Sequence, residues 1–109
     1  MLLQPADTYE DLYRDFRWSL PARFNIGTAV SDRWACVDPD RVALYEYRPE
    51  GEAATLSFAE LAARSDALAA GLAARGIRRG DRIALLLPQG FEAAIAHVAI
   101  YKLGAIAVP

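Results

Sequence analysis

The sequence predicts an α/β fold: a short hairpin, then a parallel βαβ unit, with flanking helices. Three observations predict it. Residues 42–47 and 54–56 are short apolar runs around a turn segment. A capped amphipathic stretch, 57–75, ends at Gly76. Residues 82–109 then read strand, helix, strand, the pattern of a βαβ unit.

The 109 residues are enough for one domain or part of one. Apolar side chains make up 54% of them, which is ample for a core. The net charge of -2 gives no electrostatic case for nucleic acid or an anionic membrane. A single cysteine, Cys36, excludes an intramolecular disulfide and fits a reducing compartment. The start, Met1-Leu2-Leu3-Gln4-Pro5, turns polar too soon for a signal peptide, and no apolar run approaches a membrane span. A cytoplasmic protein is expected.

Composition changes near residue 40. The first part is rich in aromatics, Arg and Asp. Thr8 fits a helix cap, with Tyr9, Leu12, Tyr13 and Phe16 at helical spacing. Asn25 fits the cap of a second helix carrying Ile26, Ala29, Val30 and Trp34. Val37-Asp38-Pro39-Asp40 reads as a turn.

Next comes the hairpin, with its turn at Pro49-Glu50-Gly51-Glu52. Ser57-Phe58-Ala59-Glu60 is a capping box. The Ser57 hydroxyl accepts the Glu60 N–H, and the Glu60 carboxylate accepts the Ser57 N–H. Leu56 and Leu61 occupy the two staple positions. Phe58, Leu61, Ser65, Leu68, Ala69 and Leu72 share a face, and Glu60 and Arg64 form an i,i+4 pair. Gly76 stops this helix, with Ile77 placed for a Schellman motif. Arg78-Arg79-Gly80-Asp81 is a charged turn.

Residues 82–87 lack alternation, so a strand covered on both faces is expected. Pro88-Gln89-Gly90 breaks it. The helix over 91–103 sets Phe91, Ile95, Val98 and Lys102 on one face and is apolar nearly all round, so it should be buried. Gly104 ends it, and residues 105–108 form another buried strand. No turn or polar cap follows that strand, so the chain is expected to be a piece of a longer protein.

Few residues suggest chemistry. Leu87-Pro88-Gln89-Gly90 lies where ligands bind in open α/β sheets, before a helix N-terminus able to hold an anion. A plain strand-to-helix turn explains it more simply, and neither GxGxxG nor a Walker motif is present. His97 sits mid-helix with no evident Ser or Cys partner, so it reads as a packed side chain. Cys36 has no second metal ligand. Trp18, Trp34 and the tyrosines fit packing better than ligand stacking. Arg78 and Arg79 read as a solvated turn. Asp38, Asp40 and Asp81 lack the spacing of a metal cage.

Three segments carry a family resemblance. Thr55-Leu56-Ser57-Phe58-Ala59-Glu60-Leu61 resembles the first core motif of the AMP-forming adenylating enzymes, with Phe58 in place of the commoner Tyr. Gly76-Ile77-Arg78-Arg79-Gly80-Asp81-Arg82-Ile83-Ala84 resembles that family's strand entry. Lys102-Leu103-Gly104-Ala105-Ile106-Ala107-Val108-Pro109 resembles its second core motif. Upstream, Arg23-Phe24-Asn25-Ile26 and Asp32-Arg33-Trp34-Ala35 resemble the acetyl- and medium-chain acyl-CoA synthetase branch.

The resemblance implies the N-terminal part of the adenylating-enzyme large domain. Residues 1–40 would be an N-terminal helical or irregular extension, and 41–109 the start of the AMP-binding domain, stopping before the phosphate loop. It implies a parent ligase that joins a carboxylate to coenzyme A, using ATP and Mg²⁺. No catalytic, cofactor-binding or metal-binding residue of the family falls on any position here, so the segment is expected to be structural and inactive. A stand-alone α/β interaction module and a carrier-protein-loading adenylation domain are the alternatives. The expected partner is the remainder of its own enzyme, and the isolated chain is expected to self-associate.

Overall fold

The computed structural model describes residues 5–47, 51 and 53–109. Helix α1 (Tyr9–Asp15) starts at Thr8, whose hydroxyl accepts the Asp11 N–H at 3.1 Å. Its apolar stripe stays open: Tyr9 and Tyr13 stack on each other and both face solvent. Among residues 5–24 none is buried.

Asn25 caps the next helix as expected, accepting the Thr28 N–H at 3.1 Å. The single helix read from the sequence is two short ones, α2 (Ile26–Val30) and α3 (Asp32–Val37), broken at Ser31. The buried face differs too. Ile26, Val30 and Trp34 are exposed, whereas Gly27 and Ser31 are buried. Small residues win that face because α2 lies close against another helix, where larger side chains have no room. Residues 39 and 40 make the expected turn.

Strands β1 (Val42–Glu46) and β2 (Ala54–Ser57) pair antiparallel, with Leu44 opposite Leu56 and an irregularity between Val42 and Leu44. Apart from Gly51, the expected turn lies outside the described residues. Helix α4 (Phe58–Ala74) follows directly. Its first amides all find acceptors: Phe58 donates to the Arg41 carbonyl, Ala59 to the Pro39 carbonyl and Glu60 to the Ser57 hydroxyl. Both halves of the capping box form. The carboxylate of Glu60 sits below its ordinary pKa, chiefly because it accepts the Ser57 N–H.

The C-terminal ends of the two long helices are alike. Ile77 N–H donates to the Leu72 carbonyl and Gly76 N–H to the Ala73 carbonyl, with Gly76 at φ +93°. At the end of α5 (Phe91–Lys102), Ala105 N–H donates to the Ile100 carbonyl and Gly104 N–H to the Tyr101 carbonyl, with Gly104 at φ +68°. Each is a Schellman motif, which needs the left-handed backbone that glycine adopts without strain.

Strands β3 (Arg82–Ala84) and β4 (Ile106–Val108) pair in parallel around α5, completing the βαβ unit. The ladder continues where Leu85 N–H donates to the Val108 carbonyl. The strand is shorter than residues 82–87, and neither strand is covered on both faces: Leu86 is 99% exposed, and Ile106 and Val108 are also exposed. This sheet has only two strands among the described residues, too few to present two packed faces.

The core lies between the hairpin, α4 and α5. Leu56, Leu61, Ile95 and Val98 form its centre, with Ala43, Leu44, Phe58 and Phe91 packed around them. Both staple leucines are therefore core residues. Helix α5 buries Ile95, Ala96, Val98, Ala99 and Ile100, in keeping with a helix apolar nearly all round. The Cα radius of gyration is 17.4 Å, against about 13 Å for a compact domain near this size. The excess fits the uncovered N-terminal stretch and the open sheet.

Replacing Ser57 with Ala removes the acceptor for the Glu60 N–H. The expected loss is about 1 kcal/mol, read by urea denaturation at fixed protein concentration. An unchanged midpoint would contradict the cap's contribution.

Candidate functional site

The strand-end position singled out in the sequence lines a real cleft. Leu87, Gln89 and Gly90 face a cavity of about 450 Å³ together with Leu44, Tyr45, Glu46, Tyr47, Phe91 and His97. It lies beyond the carboxyl end of β3, where open α/β sheets bind ligands. Its one helix N-terminus is already occupied. Glu46, at the end of β1, accepts the Phe91 N–H through Oε2 at 3.2 Å. A carboxylate therefore holds the place an incoming anion would take, and it favourably meets the positive end of α5. Among the described residues no Lys or Arg lines the cleft.

His97 enters the same cleft from α5, half-buried, with Nδ1 3.2 Å from the Tyr101 hydroxyl. The pair is one helical turn apart and links the side chains along α5. Trp34 stacks on Phe58 with ring centroids 5.8 Å apart, and the Arg41 guanidinium lies 5.1 Å from the Trp34 ring. Trp18 meets Phe16 edge-on and is exposed. Cys36 is exposed. Asp81 Oδ2 accepts the Arg78 N–H at 2.7 Å, closing the charged turn, and the Arg79 stem lies over Gly104. Among the described residues, no three His, Cys, Asp or Glu side chains gather as a metal-holding group.

The densest polar cluster was not singled out from the sequence, and it centres on Lys102. The side chain is only 7% exposed. Its Nζ lies 2.8 Å from Asp32 Oδ2, 2.6 Å from Asp66 Oδ1 and 3.3 Å from the Ala62 carbonyl. Those three acceptors use the three protons of an ammonium. Burial would raise the pKa of Asp32, but the hydrogen bond from Lys102, and then that from Ser31, outweigh it and hold the pKa below its ordinary 3.8. The Lys102 carbonyl accepts from Asn25 Nδ2 at 2.9 Å. The sequence did carry a signal: Lys102 shares the buried face of Phe91, Ile95 and Val98, and a cation on such a face requires counter-charges. Through these contacts the lysine links α3, α4 and α5.

Gly27 explains how α2 approaches α5. A Cβ at residue 27 would lie 2.7 Å from Lys102 Cγ and Lys102 N, and 2.8 Å from the Val98 carbonyl oxygen. Two of these are backbone atoms that cannot step aside.

Residues 31–109 match the family model described as AMP-binding enzyme. The chain belongs to the AMP-binding enzyme family. Acetyl-coenzyme A synthetase 2 of Candida glabrata is 38% identical over 93 residues, covering 84% of this chain and 14% of the relative. Mitochondrial acyl-coenzyme A synthetase ACSM3 of Homo sapiens is 33% identical over an alignment of 112 residues, covering 97% of this chain and 19% of the relative. The crystal structure of an acyl-CoA synthetase from Brucella canis superposes with a TM-score of 0.78 at 26% identity, covering 94% of this chain and 20% of that one. A fatty acyl-adenylate ligase from L. pneumophila, solved with acyl adenylate and pyrophosphate, gives 0.72 at 28% identity over 84% of this chain and 16% of that one. The chain thus spans between 14% and 20% of the length of these relatives. The motif-based resemblance and the α/β reading both hold.

Substituting Gly27 with Ala is expected to overpack the α2–α5 contact and destabilise the chain by about 1–3 kcal/mol. Denaturation measures it. A neutral or stabilising effect would mean the helices approach less closely than described.

Proposed function

We propose that the chain is the N-terminal part of an AMP-forming carboxylate–CoA ligase. In the whole protein a carboxylate oxygen attacks the α-phosphorus of ATP, giving an acyl-adenylate and releasing pyrophosphate. The coenzyme A thiol then attacks the acyl carbon, giving the thioester, AMP and a proton. Charge is the physical difficulty of the first step, and Mg²⁺ with fixed donors is the general means of meeting it. The observation that carries the reading is the family match over residues 31–109, supported by relatives named as acetyl- and acyl-coenzyme A synthetases.

The segment's own part is structural. Supporting this, Lys102, Asp32 and Asp66 are engaged with one another, and Glu46 closes the helix N-terminus in the cleft. Residues 41–109 begin the AMP-binding domain. Residues 1–40 are an extension laid on it through α2 and α3, which pack on α5 and α4. No catalytic, cofactor-binding or metal-binding residue is assigned within it, and ATP, Mg²⁺ and coenzyme A belong to the whole enzyme. Among the described residues no helix is long and apolar enough to cross a membrane; a cytoplasmic setting is part of the proposal. The CoA-ligase names among the relatives favour coenzyme A over a carrier protein as acyl acceptor.

The test uses both forms. The whole polypeptide, given ATP, Mg²⁺ and a panel of carboxylic acids, should release pyrophosphate with at least one acid and form AMP and a thioester when coenzyme A is added. Turnover with no acid would overturn the ligase reading. The 109-residue chain alone should release none, and acid-dependent release by it would overturn the structural role. The chain alone should also form dimers or larger species through its exposed Leu86, Ile106 and Val108. A clean monomer by light scattering at high concentration would count against that.

A further inference from the structure

We propose that residues 25–37 form a strap that detaches and reseats as one unit, with Lys102 as its catch. Three strap positions converge on that residue, and a fourth ties two of them together. Asn25 donates to the Lys102 carbonyl at 2.9 Å. Gly27 packs against Lys102 N and Cγ too closely to admit a Cβ. Asp32 binds the Lys102 ammonium at 2.8 Å. The Ser31 hydroxyl lies 2.7 Å from the Gly27 carbonyl and 2.8 Å from Asp32 Oδ2, tying two of the other positions together.

The strap carries little buried apolar surface, although Ser31 between its helices is fully buried and the two helices pack on α5 and α4. Helix α3 buries no residue, and α2 buries only Gly27. The five and six residues of these helices fall far short of the roughly 12–15 that an isolated helix needs to be even marginal. Their order therefore depends on attachment. At the far end, Trp34 stacks on Phe58 and Arg41, with the indole still 39% exposed. The core under the strap is centred on Leu56, Leu61, Ile95 and Val98, none of which lies in the strap. Segments with few buried apolar contacts open at lower free energy than the core. Here the opening unit is bounded by one polar node.

The strap's first two residues, with the chain just before them, form a wall. Pro21, Arg23, Phe24, Asn25 and Ile26 face Arg79, Tyr101 and Leu103 across a groove of about 990 Å³ at the C-terminal end of α5. Detaching the strap takes Asn25 and Ile26 out of that wall.

Native-state hydrogen exchange on the whole protein tests this, comparing wild type with Lys102→Met and Asp32→Asn. Lys102→Met keeps an apolar stem and removes the charge. Asp32→Asn weakens the catch from the strap side and leaves α5 untouched. The informative amides are Ala29, Ser31 and Ala35, which donate within the strap, and Asp38, which donates to its Trp34 carbonyl. Exchange there is expected to rise at least tenfold in both variants, while amides of α4 and α5 keep their wild-type rates. Unchanged strap rates in both variants, or strap amides that exchange in step with α4 and α5 throughout, would overturn the proposal. Should Lys102→Met unfold the whole protein, Asp32→Asn alone decides it by the same criterion.

Discussion

An ammonium group shut away from water must find opposite charge and a full set of acceptors, or the site would not hold it charged. Lys102 meets that requirement with Asp32 from α3, Asp66 from α4 and the Ala62 carbonyl. Three helices are thereby fixed relative to one another, since no one of them supplies the whole set. Asp66 is 60% exposed, so its pairing is screened and contributes less than a buried pair would. The value of the cluster lies in position more than in net energy: the close approach of Gly27 and the bond from Asn25 meet the backbone of the same residue whose ammonium binds Asp32.

Around that node the structure relies on local devices at helix ends and on an apolar centre. The hairpin delivers Leu56 to the core and, one residue later, Ser57 to the cap of α4. The two Schellman turns send the chain from α4 into β3 and from α5 into β4, which sets the parallel pair side by side. Two buried serines serve the tight places. Ser65 satisfies its hydroxyl on the Leu61 and Ala62 carbonyls, and Ser31 does so on Gly27 and Asp32. Each provides a small side chain with no unpaired polar atom.

What was legible in the sequence was what is decided locally. The capping box at Ser57 and Glu60, the glycine stops at 76 and 104, and the apolar wrap of α5 depend on neighbours a few residues away, and each forms as read. The segment 25–37 was misread because its apolar spacing, Ile26, Ala29, Val30 and Trp34, suggests a face that its packing does not use. Close helix approach selects Gly27 and Ser31 instead, and that depends on α5, some 70 positions away. Likewise, the absence of alternation over 82–87 says a strand suits burial; whether anything covers it is a property of the assembly, and Leu86 is open. Glu46 at the N-terminus of α5 is a non-local pairing that strand patterns do not reveal.

Membership of the AMP-binding enzyme family accounts for the order of these pieces, while Lys102, Asp32 and Asp66 are engaged with one another. The central claim is that Asp32 and Lys102 act as one unit in joining the strap helices to the core. A double-mutant cycle on the whole protein with Asp32→Asn and Lys102→Met, read by denaturation, tests it most directly. The account predicts that the two losses fail to add, with a coupling above about 0.5 kcal/mol. Losses that add within error would contradict it.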